Sequence, residues 1–361
     1  MKETISVIIP AYNCGGYNIT RAIKSAVFQT AIAQIIVVDD GSTDETPETL
    51  KKVEAKYSKV EVIYKANGGV SSARNMALDR VQCDCVAFLD ADDELDPDFA
   101  QRALNILNES DANLVIGSYE YRRIDGRYEK FGNFEIDGLK IIEKSEMPYM
   151  LGSLFDASQM NKMGLSPMRY TGNWSMLASA SLIKGLRFRE NLVISEDRIF
   201  NYELFMRCSS IAITPERFYI YNQTEGSASQ KYRPDAEREM IATASAILKL
   251  PDLDNEELRK SLISGIVECF EQAIQFSVRN CIARQGEMSF NLRAKKVRRL
   301  MDVPVFIAAI QKWDVRGAKG KLVRFLAKNK KAELLLLFYD VWDYAKSHLS
   351  RAGQRGGILW E

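Results

Sequence analysis

The chain has 361 residues, enough for roughly two domains of ordinary size. Hydrophobic residues make up 46% and charged residues 27%, the composition of a globular protein with a substantial core rather than a disordered or fibrous chain. A net charge of +1 hides an asymmetry: from Phe290 to the end there are 16 Lys and Arg against 6 Asp and Glu, a surplus of 10, which leaves −9 for Met1–Ser289.

The six cysteines form no CxxC pair and no zinc-finger spacing, so a metal finger is excluded. No apolar stretch approaches the ~18 residues of a membrane span, and no signal peptide precedes the first apolar run. The expectation is a cytosolic chain with reduced thiols. The single histidine, His348, lies near the C-terminus, which excludes a His-Asp triad and His-rich zinc sites upstream. Proton transfer in the N-terminal part therefore falls to a carboxylate.

In chain order, Ile5–Ile9 is a β-branched run stopped by Pro10, and a helical pattern covers Thr20–Gln29. Ile35–Val38 reads as a buried strand ending in Asp39-Asp40-Gly41-Ser42. Pro47–Tyr57 predicts a helix, Val60–Tyr64 a strand and Ser71–Arg80 a helix. Val86–Leu89 (strand), Pro97–Asn108 (helix, with Asp96 as N-cap) and Leu114–Gly117 (strand) follow. Continuous apolar strands alternating with helices predict an α/β fold with a mostly parallel sheet covered on both faces. Ligands bind such sheets beyond the carboxyl ends of the strands. Tyr12-Asn13, Asp39-Asp40 and Asp90-Ala91-Asp92-Asp93 should therefore converge. Glu120–Leu192 has no clear period. Past Pro234 the pattern is helical, over Ala236–Lys249, Asn255–Arg284, Leu292–Met301 and Ala332–Leu349. The boundary falls near Lys231–Asp235, giving domains 1–232 and 233–361.

Four clusters carry chemistry. Asp90, Asp92 and Asp93 crowd after a buried strand, and such repulsion calls for a counter-cation. A hard divalent ion, Mn²⁺ or Mg²⁺, with oxygen ligands would supply it and bridge to a diphosphate. A solvated acidic turn is the plain alternative; an aspartyl-phosphatase motif fits less well, because Asp93 stands where that motif takes Thr or Val. Asp39 and Asp40 precede a helix capped by Ser42 or Thr43, where an acceptor can read the N3–H of a uracil. In the third, Lys65-Ala66-Asn67-Gly68-Gly69, the glycines permit close backbone approach, and Ser71 or Ser72 caps the next helix. Arg74 in that helix's first turn opposes the dipole, so it is either an anion binder or a structural partner of Asp90 or Asp92. Fourth, Glu196 and Asp197 open a helix, and either is a natural base for a substrate hydroxyl.

The series Ile8-Ile9-Pro10-Ala11-Tyr12-Asn13, Ser25-Ala26-Val27-Phe28-Gln29-Thr30, Val38-Asp39-Asp40-Gly41-Ser42-Thr43-Asp44, Asn67-Gly68-Gly69 with Ala73-Arg74-Asn75, Phe88-Leu89-Asp90-Ala91-Asp92-Asp93 and Ser195-Glu196-Asp197 resembles the inverting family 2 glycosyltransferases of the GT-A fold, over about residues 4–230. The resemblance implies transfer of a sugar from a UDP-sugar to a saccharide or polyprenyl-diphosphate-linked acceptor, as in bacterial cell-surface polysaccharide assembly. A catalytically silent scaffold of the same fold is the alternative. By the same resemblance, Pro10, Ala11 and Tyr12 line the nucleobase pocket, with Asp39 at the uracil edge and Asp40 close by at the ribose. Arg74 lies near the donor phosphates, Asp90 at the ribose, and Asp92, with Asp90, at the metal; Asn13, Gly41, Lys65, Gly69 and Ala91 count among the donor-binding residues. Asp197, paired with Glu196, is the base. Two departures are visible. Trp174 is followed by Ser175-Met176-Leu177-Ala178 where relatives carry Lys-Leu-Tyr, and Tyr219-Ile220-Tyr221-Asn222 precedes Gly226-Ser227 without the usual Arg.

The tail mixes lysines and arginines with the apolar blocks Val303–Ile310, Leu322–Leu326 and Leu334–Trp342. Such a segment suits an anionic membrane surface, with the protein peripheral on the inner face of the cell membrane. A helical cap or a homodimer interface is the competing reading. No nucleic-acid motif accompanies the charge.

Overall fold

The computed structural model describes residues 4–131, 136–166, 172–223, 233, 235–279, 288–315 and 317–353. The chain divides into two units: Met1–Ser227 with Asp252–Arg259, and Ala228–Pro251 with Lys260–Glu361.

In the first unit, strands β1 (Ile5–Ala11), β2 (Ile32–Asp39), β3 (Val60–Tyr64) and β4 (Cys85–Phe88) pair in parallel in the order β3-β2-β1-β4. Residues 5–9 and 85–88 are all buried, as continuous apolar strands between two layers of helices require. Those helices include α1 (Gly16–Val27), α2 (Thr46–Lys56), α3 (Val70–Leu78) and α4 (Phe99–Glu109). From α1, Ile19, Ala22, Ile23 and Ala26 enter the same core as Ile5, Val7 and Ile9. The sheet then continues through β9 (Met176–Ser179), β6 (Leu114–Arg122), β10 (Ile211–Asn222) and β5 (Glu94–Leu95). Strands β7 (Tyr128–Phe131) and β8 (Lys140–Ile142) pair β6 and β10 from outside this path. Among these, β9 runs antiparallel to both β4 and β6. The irregular stretch holds α5 (Met147–Ser153), a 3₁₀ turn over Ala157–Met163 and α6 (Ala180–Ile183). Helix α7 (Glu196–Arg207) then leads into β10. This is the α/β GT-A architecture expected from the sequence, and a helical region follows it.

Helix starts differ from expectation. α2 begins at Thr46 after Glu45, not at Ser42 or Thr43, and the Asp44 carboxylate accepts from the Thr46 amide at 3.0 Å. Gly69, at φ +88°, takes the N-cap of α3, so Ser71 and Ser72 lie inside the helix and Arg74 in its second turn. Asp98 precedes α4, while Asp96 binds the Asp98 amide.

The second unit contains α8 (Ala236–Ile247), most of α9 (Glu256–Ile274) with a π turn over Gln275–Arg279, α10 (Phe290–Leu300), α11 (Pro304–Lys312), α12 (Gly317–Lys328) and α13 (Ala332–Gly353). Two of the apolar blocks, Val303–Ile310 and Leu322–Leu326, thus belong to helices α11 and α12. No helix among the described residues is long and apolar enough to cross a membrane.

Candidate active site

β1 sends its connection toward β2 on one side while β4 joins it on the other, so a crevice opens at the carboxyl ends of these strands. The polar clusters meet there. Tyr12 is 52% exposed just past β1, leaving its ring available for stacking. Asn13 and Gly41 join the β1 and β2 ends. The Asn13 amide donates to Ser42 Oγ at 2.9 Å, and its side-chain oxygen accepts from the Thr43 amide at 2.7 Å. Gly41 has φ +77°, and a Cβ there would stand 2.8 Å from the Asn67 amide nitrogen. Only glycine permits that approach.

Asp39 is buried at the crevice wall, with one oxygen accepting from the Ser42 amide. Asp40 differs from the expected ribose contact. Its carboxylate accepts from Lys65 Nζ at 2.5 Å, the Gly68 amide at 2.9 Å and the Gly69 amide at 2.7 Å. Asp40 and Lys65 therefore hold the 65–69 loop against the end of β2, and Gly69 contributes its amide and its conformation to that hold.

The β4 end is divided in the same way. Asp93 is buried: one oxygen accepts from Tyr219 Oη at 2.8 Å and the other from the Asn222 amide at 2.8 Å. Burial, with Asp90 and Asp92 close by, holds its carboxyl well above the ordinary range. The expected crowd of three acids is thus two acids beside the crevice and one latch to β10. The Ala91 side chain packs in the hydrophobic core. Asp92 is half-buried, and its backbone carbonyl accepts from Arg21 and Asn222.

Arg74 is the centre of the site. Its side chain is 4% exposed and reaches Asp90 at 3.0 Å, Glu196 at 3.3 Å and Asp197 at 2.6 Å. Burial opposes its charge, but Asp197, Asp90 and Glu196 outweigh burial and raise its pKa. The sequence left open whether Arg74 binds anions or pairs with acids; it pairs, and with the base segment as well as Asp90. Its guanidinium also lies 5.2 Å over the Phe188 ring. Phe188 stacks on Phe200 of α7 at 3.9 Å, and Phe88 of β4 meets both rings edge-on. The next residue, Asn75, binds the Phe188 amide and carbonyl and the Glu190 carboxylate. Helix α3 thus grips the chain that carries Glu196 and Asp197.

Glu196 and Asp197 open α7 after Ser195 in the left-handed region. Burial lifts the Asp197 carboxyl to about 8, with Arg74 opposing and Glu196 and Asp90 adding to the rise. Glu196 is raised by burial as well. A carboxylate so lifted is a far better proton acceptor near neutral pH than an ordinary aspartate.

Comparison with known proteins places this crevice. Residues 6–171 match the family model described as "Glycosyl transferase family 2". The chain carries a family 2 glycosyltransferase domain. The chain is 27% identical over 233 residues to Glycosyltransferase GlyA of Streptococcus pneumoniae, a match covering 64% of this chain and 32% of that one. It is 27% identical over 254 residues to the succinoglycan biosynthesis protein ExoO of Rhizobium meliloti, covering 69% of each. It therefore spans about a third of the first relative and about two thirds of the second. Among solved structures, S. aureus TarS 1–349 in complex with UDP-GlcNAc superposes with a TM-score of 0.64 at 20% identity, covering 95% of this chain and 92% of that one. At that identity the likeness shows the glycosyltransferase fold alone.

In this glycosyltransferase domain, Trp174 stacks on Tyr219 at 5.0 Å and meets Tyr119 edge-on, which puts residues 172–175 beside the Asp90–Asp93 turn. Burial and the acids Asp93, Asp92 and Asp90 push the Tyr221 phenol up to about 12. Gly226-Ser227 lies outside the described residues. No group of three or more acidic, His or Cys side chains among the described residues forms a metal cage. Mg²⁺-type sites usually rest on one or two carboxylates plus substrate phosphates, and the pair Asp92 and Asp90 fits that donor set. Asn75, Tyr219 and Asn222 stand in segments that the sequence reading quoted without giving them a role. A Tyr and Asn 126 and 129 residues beyond their shared partner Asp93 leave no local signal.

Proposed function

We propose that the domain transfers a sugar from a UDP-sugar to a hydroxyl of a saccharide or polyprenyl-diphosphate-linked acceptor, with inversion. The observation that carries this reading is the Arg74 cluster, which fixes Asp197 against the Asp90–Asp92 turn at the strand ends. Tyr12 packs on the uracil, and Asp39 accepts from its N3–H. Asp197 takes the proton of the acceptor hydroxyl as its oxygen bonds to the anomeric carbon, while the bond from that carbon to the diphosphate oxygen breaks on the opposite face. Asp92, helped by Asp90, would hold Mn²⁺ or Mg²⁺, which when bound stabilises the departing diphosphate as a Lewis acid. Arg74 keeps the base oriented and opposes its protonation, and the Phe88–Phe188–Phe200 stack fixes α7 to β4. The complex of TarS with UDP-GlcNAc supports the donor class, and the names of the relatives support sugar transfer.

A panel of UDP-sugars, scored for slow donor hydrolysis with Mn²⁺, tests the proposal without an acceptor. Release of UDP from one donor is expected. Calorimetric binding of UDP without turnover of any donor, with or without saccharide acceptors, would leave a silent scaffold.

A further inference from the structure

Helices α12 and α13 are joined by a turn in which Lys330 has φ +53°. Each buries one face: Val323, Leu326 and Ala327 on α12, and Ala332, Leu335, Leu336 and Tyr339 on α13. A helix packed in this way should be polar on its other face. These are not. On α13, Leu334, Leu337 and Val341 follow at i, i+3 and i+7 and are 52%, 47% and 66% exposed. On α12, Leu322 and Phe325 are 40% and 61% exposed, and Trp342 of α13 is 44% exposed. Lys319 Nζ sits 5.6 Å over the Trp342 ring, linking the two helices at this surface. Contiguous outward apolar side chains of this kind mark a contact surface.

Charge decides the partner. Residues 312–331 carry eight Lys and Arg against one acid. The nearby acids Asp302, Glu333 and Asp340 already pair with Lys330, Arg298 and Arg293. Lys321, Lys328 and Lys331 are exposed and have no carboxylate partner among the described residues. A second copy seated on this face would press lysine against lysine. A nucleic acid would leave the leucines and Phe325 in water. A bilayer with anionic headgroups satisfies both halves, taking the apolar stripe at the acyl boundary and the lysines among phosphates.

We propose that the outward faces of α12 and α13 form a seat on an anionic lipid bilayer, with Phe325, Leu337, Val341 and Trp342 entering the interface and Lys321, Lys328 and Lys331 binding the headgroups. The test is sedimentation of the full chain with phosphatidylcholine vesicles, with and without phosphatidylglycerol. Binding is expected only with phosphatidylglycerol and should fall as salt rises. The triple variants Phe325→Ser/Leu337→Ser/Val341→Ser and Lys321→Glu/Lys328→Glu/Lys331→Glu should each weaken binding at least about tenfold. Both change exposed side chains, and thermal melting checks their folding. For the unaltered chain, brominated phosphatidylglycerol vesicles should quench tryptophan emission, and Trp342→Phe should remove most of that quenching. Equal sedimentation with neutral vesicles, unchanged binding by both variants, or no quenching would overturn the proposal. So would a dimer in analytical ultracentrifugation that the apolar variant dissolves while vesicles go unbound.

Discussion

The ends of β2 and β4 carry acid clusters that look alike in sequence, Asp39-Asp40 and Asp90-Ala91-Asp92-Asp93, yet each divides its labour. At β2, Asp40 turns inward to Lys65 and two amides, and Asp39 stays at the crevice. At β4, Asp93 turns inward to Tyr219 and Asn222, and Asp90 and Asp92 stay. On the proposed function, a cluster of carboxylates at a strand end is part ligand site and part fastening. The fastening acids shape the loops that the ligand acids stand on.

Substitutions separate the two kinds. The largest effect is expected outside both clusters, at the base that Arg74 ties to Asp90. Asp197→Asn should lower transfer by ~10²–10⁴ with donor affinity retained. If instead Glu196→Gln is the damaging change and Asp197→Asn transfers normally, the base is Glu196. Asp92→Ala should abolish metal-dependent UDP binding with the fold retained, since the backbone carbonyl that Arg21 and Asn222 bind is kept. Unchanged affinity in Mn²⁺ would remove Asp92 from the metal. Asp40→Ala and Asp93→Ala should do the reverse, each destabilising by about 1–3 kcal/mol as buried donors lose their acceptor. Denaturant titration measures this, and loss of UDP binding at full stability would refute the fastening role.

The smallest effect, over the neutral range, is a slope with pH. Asp197 must lose its proton to act as a base, so kcat/KM should rise with pH up to about 8 and level off above it. Stability runs the other way. A carboxyl whose folded pKa is raised contributes stability that is present below the unfolded value and is lost as pH rises to the folded one. Asp197→Asn should flatten both trends. A wild-type rate profile already level at pH 5 would show a base of ordinary acidity.

Strand ends and their acids were legible because an apolar run that stops in polar residues must surface there. What could not be read was direction. Whether a carboxylate past the last strand residue points to solvent or back into the sheet depends on the turn and on partners such as Tyr219, which arrive from far along the chain. Arg74 was flagged by its conflict with the helix dipole, but its partners lie 16, 122 and 123 residues away. The caps moved by two or three residues for a similar reason. At α3, Gly69 brings its amide to Asp40 and so sets the helix start ahead of the two serines.

Strand β9 has a consequence for how the crevice is walled. Its Met176 pairs with Ile116 and its Ala178 with Val86, antiparallel to both neighbours. A parallel strand in that slot would be entered from the far edge of the sheet, and the chain would need a crossover of a dozen or more residues to return. Running backwards, β9 is instead entered at the ligand end. Gly172–Ser175 therefore form a wall of the crevice on their way into the sheet, and Ser175 Oγ is tied at 3.0 Å to the carbonyls of Gly117 and Ser118. One reversed strand gives the crevice a side that is continuous with the sheet itself, and Trp174, two residues before β9, packs on Tyr119 of β6 and Tyr219 of β10.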